Sequence, residues 1–167
     1  MSKLTGLALS IAILGGVWAF LALGPLAGYV LVWAGFIAWG CYFALGADSA
    51  ALQKTIVGMI YGAVIAGIAL ALVGANPLGL AGAAGPAIYI AVTVFLLVIV
   101  ANISLLSAVP ANVYGYAATA AYALQTANAG SVTAMDLTNP VLLVSLSTIL
   151  GAVFGMLSGK LAGILGK

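Results

Sequence analysis

The chain contains no arginine, no glutamate and no histidine, and its formal charge is confined to four lysines and two aspartates among 167 residues. Soluble domains carry about a quarter charged residues. A surface facing water cannot be covered at 4% charged and 66% hydrophobic residues, so lipid has to replace water as the outer solvent. A mean hydropathy of +1.35 says the same. The shortage excludes chemistry too. Without histidine or glutamate, and with both aspartates, Asp48 and Asp136, in polar stretches, no acid–base pair, activated nucleophile or metal-ligand spacing can be assembled. The chain is read as a non-enzyme without a cofactor. A net charge of +2 with no basic run excludes a nucleic-acid module. The lone cysteine, Cys41, rules out an internal disulfide and reads as a small buried apolar residue. No ionisable residue falls inside a span, which argues against proton coupling and leaves sodium coupling through backbone carbonyls open.

Long apolar runs dominate what is present. The first, Leu4 to Leu23, ends at Gly24-Pro25 without a small-x-small cleavage site and reads as a retained membrane helix. The second runs from Leu26 to Gly46, the third from near Thr55 to near Gly74, and the fourth from Ala87 to Val109. A shorter segment follows from Pro110 to Leu124, and the last starts at Asn139-Pro140 and reaches Lys167. Pro110 and Pro140 suit a helix's first turn, where the missing N–H costs nothing. About 15 residues of helix rise only ~22 Å, so the segment after Pro110 spans thinly or enters the bundle and stops. The expected fold is an all-α, polytopic membrane domain, 1–167, of six transmembrane segments. Lys3, Lys54, Lys160 and Lys167 fall on one side of the bilayer only with six crossings, which puts both termini in the cytoplasm.

The halves 1–74 and 87–167 show faint self-similarity. Residues 34–44, AGFIAWGCYFA, overlie 111–121, ANVYGYAATAA, with small residues coinciding at Ala34/Ala111, Ala38/Gly115, Gly40/Ala117, Cys41/Ala118 and Ala44/Ala121, and Trp39 meeting Tyr116. Gly58, Tyr61 and Gly62 match Gly151, Phe154 and Gly155. Three segments per half make the expected repeat an inverted 3+3 arrangement with a site between the halves.

Two patterns stand out on the segments. Ser147, Gly151, Gly155, Gly159 and Gly163 recur every fourth residue, and Gly58 and Gly62 give a shorter version. Such stripes admit a close helix and are expected to pack on each other or on another subunit. Polar residues inside the bilayer form the second pattern. Asn112, Tyr116 and Thr119 share one helical face, Ser104 and Ser107 extend a stripe from Thr93, and Trp39 with Tyr42 lies on the counterpart segment. Either these groups bond neighbouring backbones, or Asn112, Tyr116, Thr119, Trp39, Tyr42, Ser104 and Ser107 line a path for a small, largely uncharged solute.

The runs GGVWAFLALGPL, WAGFIAWGCYFALG, SAVPANVYGYAATAAYA and LGAVFGMLSGKLAG resemble the YcdZ-like bacterial inner-membrane proteins, a family of unknown function, over nearly the whole chain. Trp33, Gly35, Phe36, Tyr42, Phe43 and Ala44 match its W-x-G-F-x-x-x-x-x-Y-F-A pattern, and Val109, Pro110 and Gly115 match V-P-x-x-x-x-G. The resemblance implies a bacterial cytoplasmic membrane and no substrate. The expected role is a channel or facilitator for a small, largely uncharged solute, working as a homo-oligomer in the lipid bilayer. The alternative is a structural or accessory subunit without a solute path.

Overall fold

The apolar runs become helices with well-defined starts in this computed structural model, which describes residues 1–166. The helices are α1 (Lys3–Leu23), α2 (Val32–Ala44), α3 (Ser49–Ala75), α4 (Ala84–Ile99), α5 (Val109–Gln125) and α6 (Pro140–Leu165). Lys167, one of the lysines behind the orientation argument, lies outside the described residues. Side-chain caps fix three of the starts. Ser2 Oγ accepts the Thr5 amide at 3.1 Å, Asp48 Oδ1 the Ala51 amide at 2.7 Å, and Asn139 Oδ1 the Val141 amide at 2.9 Å. The Asp48 cap begins α3 at Ser49 rather than near Thr55, so Gln53 and Lys54 lie inside its first turns. Pro110 and Pro140 both stand in first turns.

Two expected segments come out shorter. The second begins as α2 only at Val32 and runs 13 residues. Before it, Pro25 has no N–H to give a helix, and Gly28 adopts the left-handed φ of +84°. The Leu31 amide is then taken by Ser147 Oγ at 2.8 Å, and Trp18 Nε1 donates to the Val32 carbonyl at 2.9 Å. The fourth segment does not reach Val109. α4 stops at Ile99 and the chain continues as two 3-10 turns, Val100–Asn102 and Ser104–Leu106. Four helical stretches, Lys3–Leu23, Ser49–Ala75, Ala84–Asn102 and Pro140–Leu165, are long and apolar enough to cross a membrane. α2 and the 17-residue α5 are shorter.

Helix directions follow from paired contacts. Ser10 Oγ donates to the Ser158 carbonyl at 2.6 Å, and Trp18 stacks at a tilt on Phe154 with centroids 5.5 Å apart, so α1 and α6 are antiparallel. Tyr61 Oη donates to the Leu96 carbonyl at 2.7 Å, and Leu78 and Asn76 meet the Tyr89 hydroxyl, so α3 and α4 are antiparallel. α3 also runs against α6, with Gly67 beside Val141 and Met59 sharing a buried cluster with Ala152. α2 packs parallel on α6 and α5 parallel on α3, through the glycines described below. Two groups result, α1–α2–α6 and α3–α4–α5, joined along α3 and α6.

The outer faces stay apolar. In α4 only Gly85, Tyr89, Thr93 and Leu97 are buried, one residue per turn. Ile88, Val92, Phe95 and Ile99 are exposed on its remaining faces. Exposed apolar surface on this scale is unstable in water and unremarkable in lipid.

Candidate functional site

The glycine stripes bring backbones into contact, but not with each other. α3 receives α5: a methyl group on Gly62 would fall on the Asn112 carbonyl and lie 2.7 Å from the Tyr116 amide. One on Gly58 would lie 2.8 Å from Ala111 Cβ and Asn112 Oδ1. Gly115 answers from α5, its methyl position falling on the Met59 carbonyl. α6 receives α2 in the same manner. A methyl on Gly151 would fall on the Gly35 backbone, and one on Gly155 would sit 3.1 Å from the Trp39 and Tyr42 rings. The approach then opens. At Gly159 the nearest atoms are 3.9 Å away, and at Gly163 nothing lies within 4 Å. The expectation that the two stripes meet is therefore corrected. Each receives a short helix, because α2 and α5 present their own small residues at Gly35 and Gly115.

The polar residues divide among separate places. Asn112 is fully buried, and its Nδ2 donates to the Leu97 carbonyl at 3.2 Å and the Leu106 carbonyl at 3.0 Å. The Leu97 carbonyl is one of those freed where α4 breaks and the Leu106 carbonyl ends the second 3-10 turn, so the amide stands in for missing helical donors at both ends of the break. Tyr116 meets the Thr93 hydroxyl at 3.2 Å, while Thr93 also donates back to its own helix at the Tyr89 carbonyl, 2.9 Å away. Thr119 is fully buried, and its hydroxyl has no protein partner; the same holds for Thr148 Oγ1 and Trp39 Nε1. Trp39 belongs to another neighbourhood, between Phe36 and Phe154 on the α1–α2–α6 side. Tyr42 Oη donates to the Ala47 carbonyl at 2.5 Å and closes the end of α2. Ser104 and Ser107 are not on a stripe with Thr93, because the helix ends before them; both are exposed, and Ser107 Oγ donates to the Ser104 carbonyl at 2.8 Å. Asn112 and Tyr116 thus pack toward α3 and α4, with Thr119 buried farther along α5, while Trp39 and Tyr42 pack toward α6, and the two sets do not face one another.

What does face across the two groups is a groove between α2 and α5, of about 630 Å³. Ile37, Gly40, Cys41 and Ala44 line one wall and Tyr114, Ala117, Ala118 and Ala121 the other. Cys41 is turned partly away, its sulfur accepting the Thr55 hydroxyl at 3.6 Å. Polar side chains drew the sequence reading to the opposite faces of these helices. The available signal was the small residues spaced four apart, Gly40 with Ala44 and Ala117 with Ala121. Among the described residues, no group of three or more His, Cys, Asp or Glu side chains could hold a metal ion.

No curated protein and no solved structure matches this chain. A family model does, over residues 8–163, which is most of the sequence. The chain accordingly belongs to the family described as "Protein of unknown function (DUF1097)".

Proposed function

We propose that the chain is a bundle of two inverted three-segment halves in a bacterial cytoplasmic membrane, acting as a facilitator for a small, largely uncharged solute along the α2–α5 seam. The resemblance to YcdZ-like inner-membrane proteins agrees with that location. Exchange of contacts between the halves supports the repeat. The sequence overlay pairs Gly35 with Asn112, Trp39 with Tyr116, Gly58 with Gly151 and Gly62 with Gly155. Gly58 meets Asn112 while Gly151 meets Gly35; Gly62 meets Tyr116 while Gly155 meets Trp39. A two-fold operation interchanges those contacts, whereas chance similarity of small-rich helices has no reason to. Tyr61 and Phe154, which the overlay also pairs, reach α4 and α1 respectively, the outer helices of the two halves. The alternating helix directions suit six segments with α2 and α5 as the thin ones. A methyl on Gly6 would lie 2.8 Å from the Gly166 amide, so the two ends of the described chain meet at one end of the bundle. Single cysteines at Lys3, Leu80 and Leu165, in a Cys41→Ala background, test this topology. Positions 3 and 165 are expected to label from the cytoplasm and position 80 from the opposite side. Labelling of 165 from outside sinks it.

One observation carries the solute reading. The groove lies where the halves meet, and the overlay pairs most of its walls: Ile37 with Tyr114, Gly40 with Ala117, Cys41 with Ala118 and Ala44 with Ala121, while Trp33 and Phe36 line it from α2 without a counterpart. α2 and α5 pack far less on each other than on α6 and α3, so this seam is the easiest place for the groups to part. Its walls offer no charge to replace a hydrated ion's water, and flux without ionic current is expected. In proteoliposomes, Gly40→Leu should bring uptake of small neutral solutes down to the protein-free background without unfolding, because a Cβ there meets nothing within 4 Å. Absence of flux in the wild type, or single-channel ion currents, would count against the proposal. The rival, an accessory subunit without a path, draws on a different observation: Asn112, Tyr116 and Trp39 are committed to helix packing. A homo-oligomer belongs to both readings, and light scattering in detergent tests it.

A further inference from the structure

The end of the bundle where the chain's two ends meet holds a second cavity, of about 670 Å³, which no part of the solute path uses. Lys3 and Lys160 line it, together with Asp48 and Ser49 at the start of α3. Leu7 and Met156 continue its wall toward the apolar interior. Two ammonium groups are set against a single carboxylate, and that carboxylate already accepts the Ala51 amide at 2.7 Å. At the start of the 27-residue α3 the Ser49 and Ala50 amides have no partner within a helix, while the Ala51 amide is the one that carboxylate takes. The cavity is therefore cationic at its rim and apolar in its depth. We infer that it binds a phosphate oxyanion, and specifically the headgroup of an anionic phospholipid, because only a lipid brings an acyl stem for the apolar wall as well as charge for the lysines. Basic pockets between membrane helices on the cytoplasmic side recognise such headgroups by the same physics.

The inference rests on the membrane location and not on the solute path, and its readout is lipid affinity rather than flux. The full-length protein in mild detergent is titrated with phosphatidylglycerol, with phosphatidylcholine and with inorganic phosphate at matched concentrations, following thermal stability. Phosphatidylglycerol is expected to stabilise selectively. The Lys3→Gln, Lys160→Gln double variant should weaken its apparent affinity by about fivefold per lysine. Lys54→Gln, a lysine outside the cavity lining, should leave it unchanged. Gly163→Leu obstructs the cavity with both charges intact, at a position where a Cβ meets nothing within 4 Å, and should weaken lipid without weakening the fold. Equal stabilisation by the two lipids, or an undiminished response in the double variant, overturns the site. Stabilisation by inorganic phosphate as strong as by phosphatidylglycerol overturns the assignment to lipid.

Discussion

Leucine at Gly115 or at Gly151 is expected to leave little folded protein. At both positions a methyl group would fall on backbone of the facing helix, the Met59 carbonyl in one case and the Gly35 backbone in the other. Overpacking an ordinary core costs about 1–3 kcal/mol, because neighbouring side chains rotate away. A facing backbone cannot rotate away; the whole helix has to move, and moving α5 from α3 or α2 from α6 undoes the largest interfaces in the bundle. The cost should reach the top of that range or pass it, against a total stability of about 5–15 kcal/mol for a typical domain. Along α6 the effect should fall in the order Gly151, Gly155, Gly159, Gly163, following the widening distance to α2. Gly16→Leu on α1 is the control for helix propensity and hydrophobicity, since nothing lies within 4 Å of a Cβ there. Size-exclusion profiles and thermal melts in one detergent provide the comparison. A monodisperse Gly115→Leu protein melting with the wild type would mean that α3 and α5 do not touch.

Asn112→Leu should be the most damaging change among the polar residues, and Thr119→Val among the least. Leucine keeps the branching of asparagine but is bulkier, so overpacking at this fully buried site adds to the loss of hydrogen bonding. The carbonyls of Leu97 and Leu106 lose their donor where α4 has broken and no helical amide replaces it. Leaving a buried acceptor unsatisfied costs about 1–3 kcal/mol. Polar pairs between membrane helices average nearer ~0.6 kcal/mol, because the unfolded reference also finds partners. Two acceptors at a helix break, the Leu97 carbonyl buried and the Leu106 carbonyl partly so, place this case toward the larger figure. Hydrogen exchange should rise through residues 97–108 before the rest of the chain responds. Thr119 Oγ1 has no protein partner to lose, and its replacement by valine removes an uncompensated polar group from the interior. A melt lowered by Thr119→Val as much as by Asn112→Leu would show that this hydroxyl serves a ligand or water, and would revive the Asn112–Tyr116–Thr119 face as a path.

Membrane character was legible in the sequence because it is a bulk property. A chain with so few charges has only one solvent in which its surface is stable, whatever its topology. Segment ends were legible at Asn139-Pro140, at Pro110 and at the Gly24-Pro25 turn, where a local group acts within a few residues of itself. The Asp48 cap is as local, but the polar Gln53-Lys54 pair masked it, and α3 starts at Ser49 rather than near Thr55. The breaks at Leu31 and Ile99 were not legible. Each depends on a distant partner, Ser147 for the Leu31 amide and Asn112 for the Leu97 and Leu106 carbonyls, and Ser104 and Ser107 left the expected stripe for that reason.

Sequence spacing also marked Gly58, Gly62, Gly151 and Gly155 as places where a helix can approach closely, although Gly159 and Gly163 of the same ladder stay open. Which helix does so was a tertiary decision. Any small-faced helix satisfies a glycine stripe, and spacing along one helix carries no information about its neighbour. α2 and α5 occupy the stripes because their own small residues, Gly35 and Gly115, let both sides approach. That packing turns Trp39 and Tyr42 toward α6 and turns Asn112 and Tyr116 toward α3 and α4. The faces left to meet across the seam are then Gly40 with Ala44 and Ala117 with Ala121. A helix has one circumference, so once its polar face is committed to packing, the opposite face is what remains to line a groove.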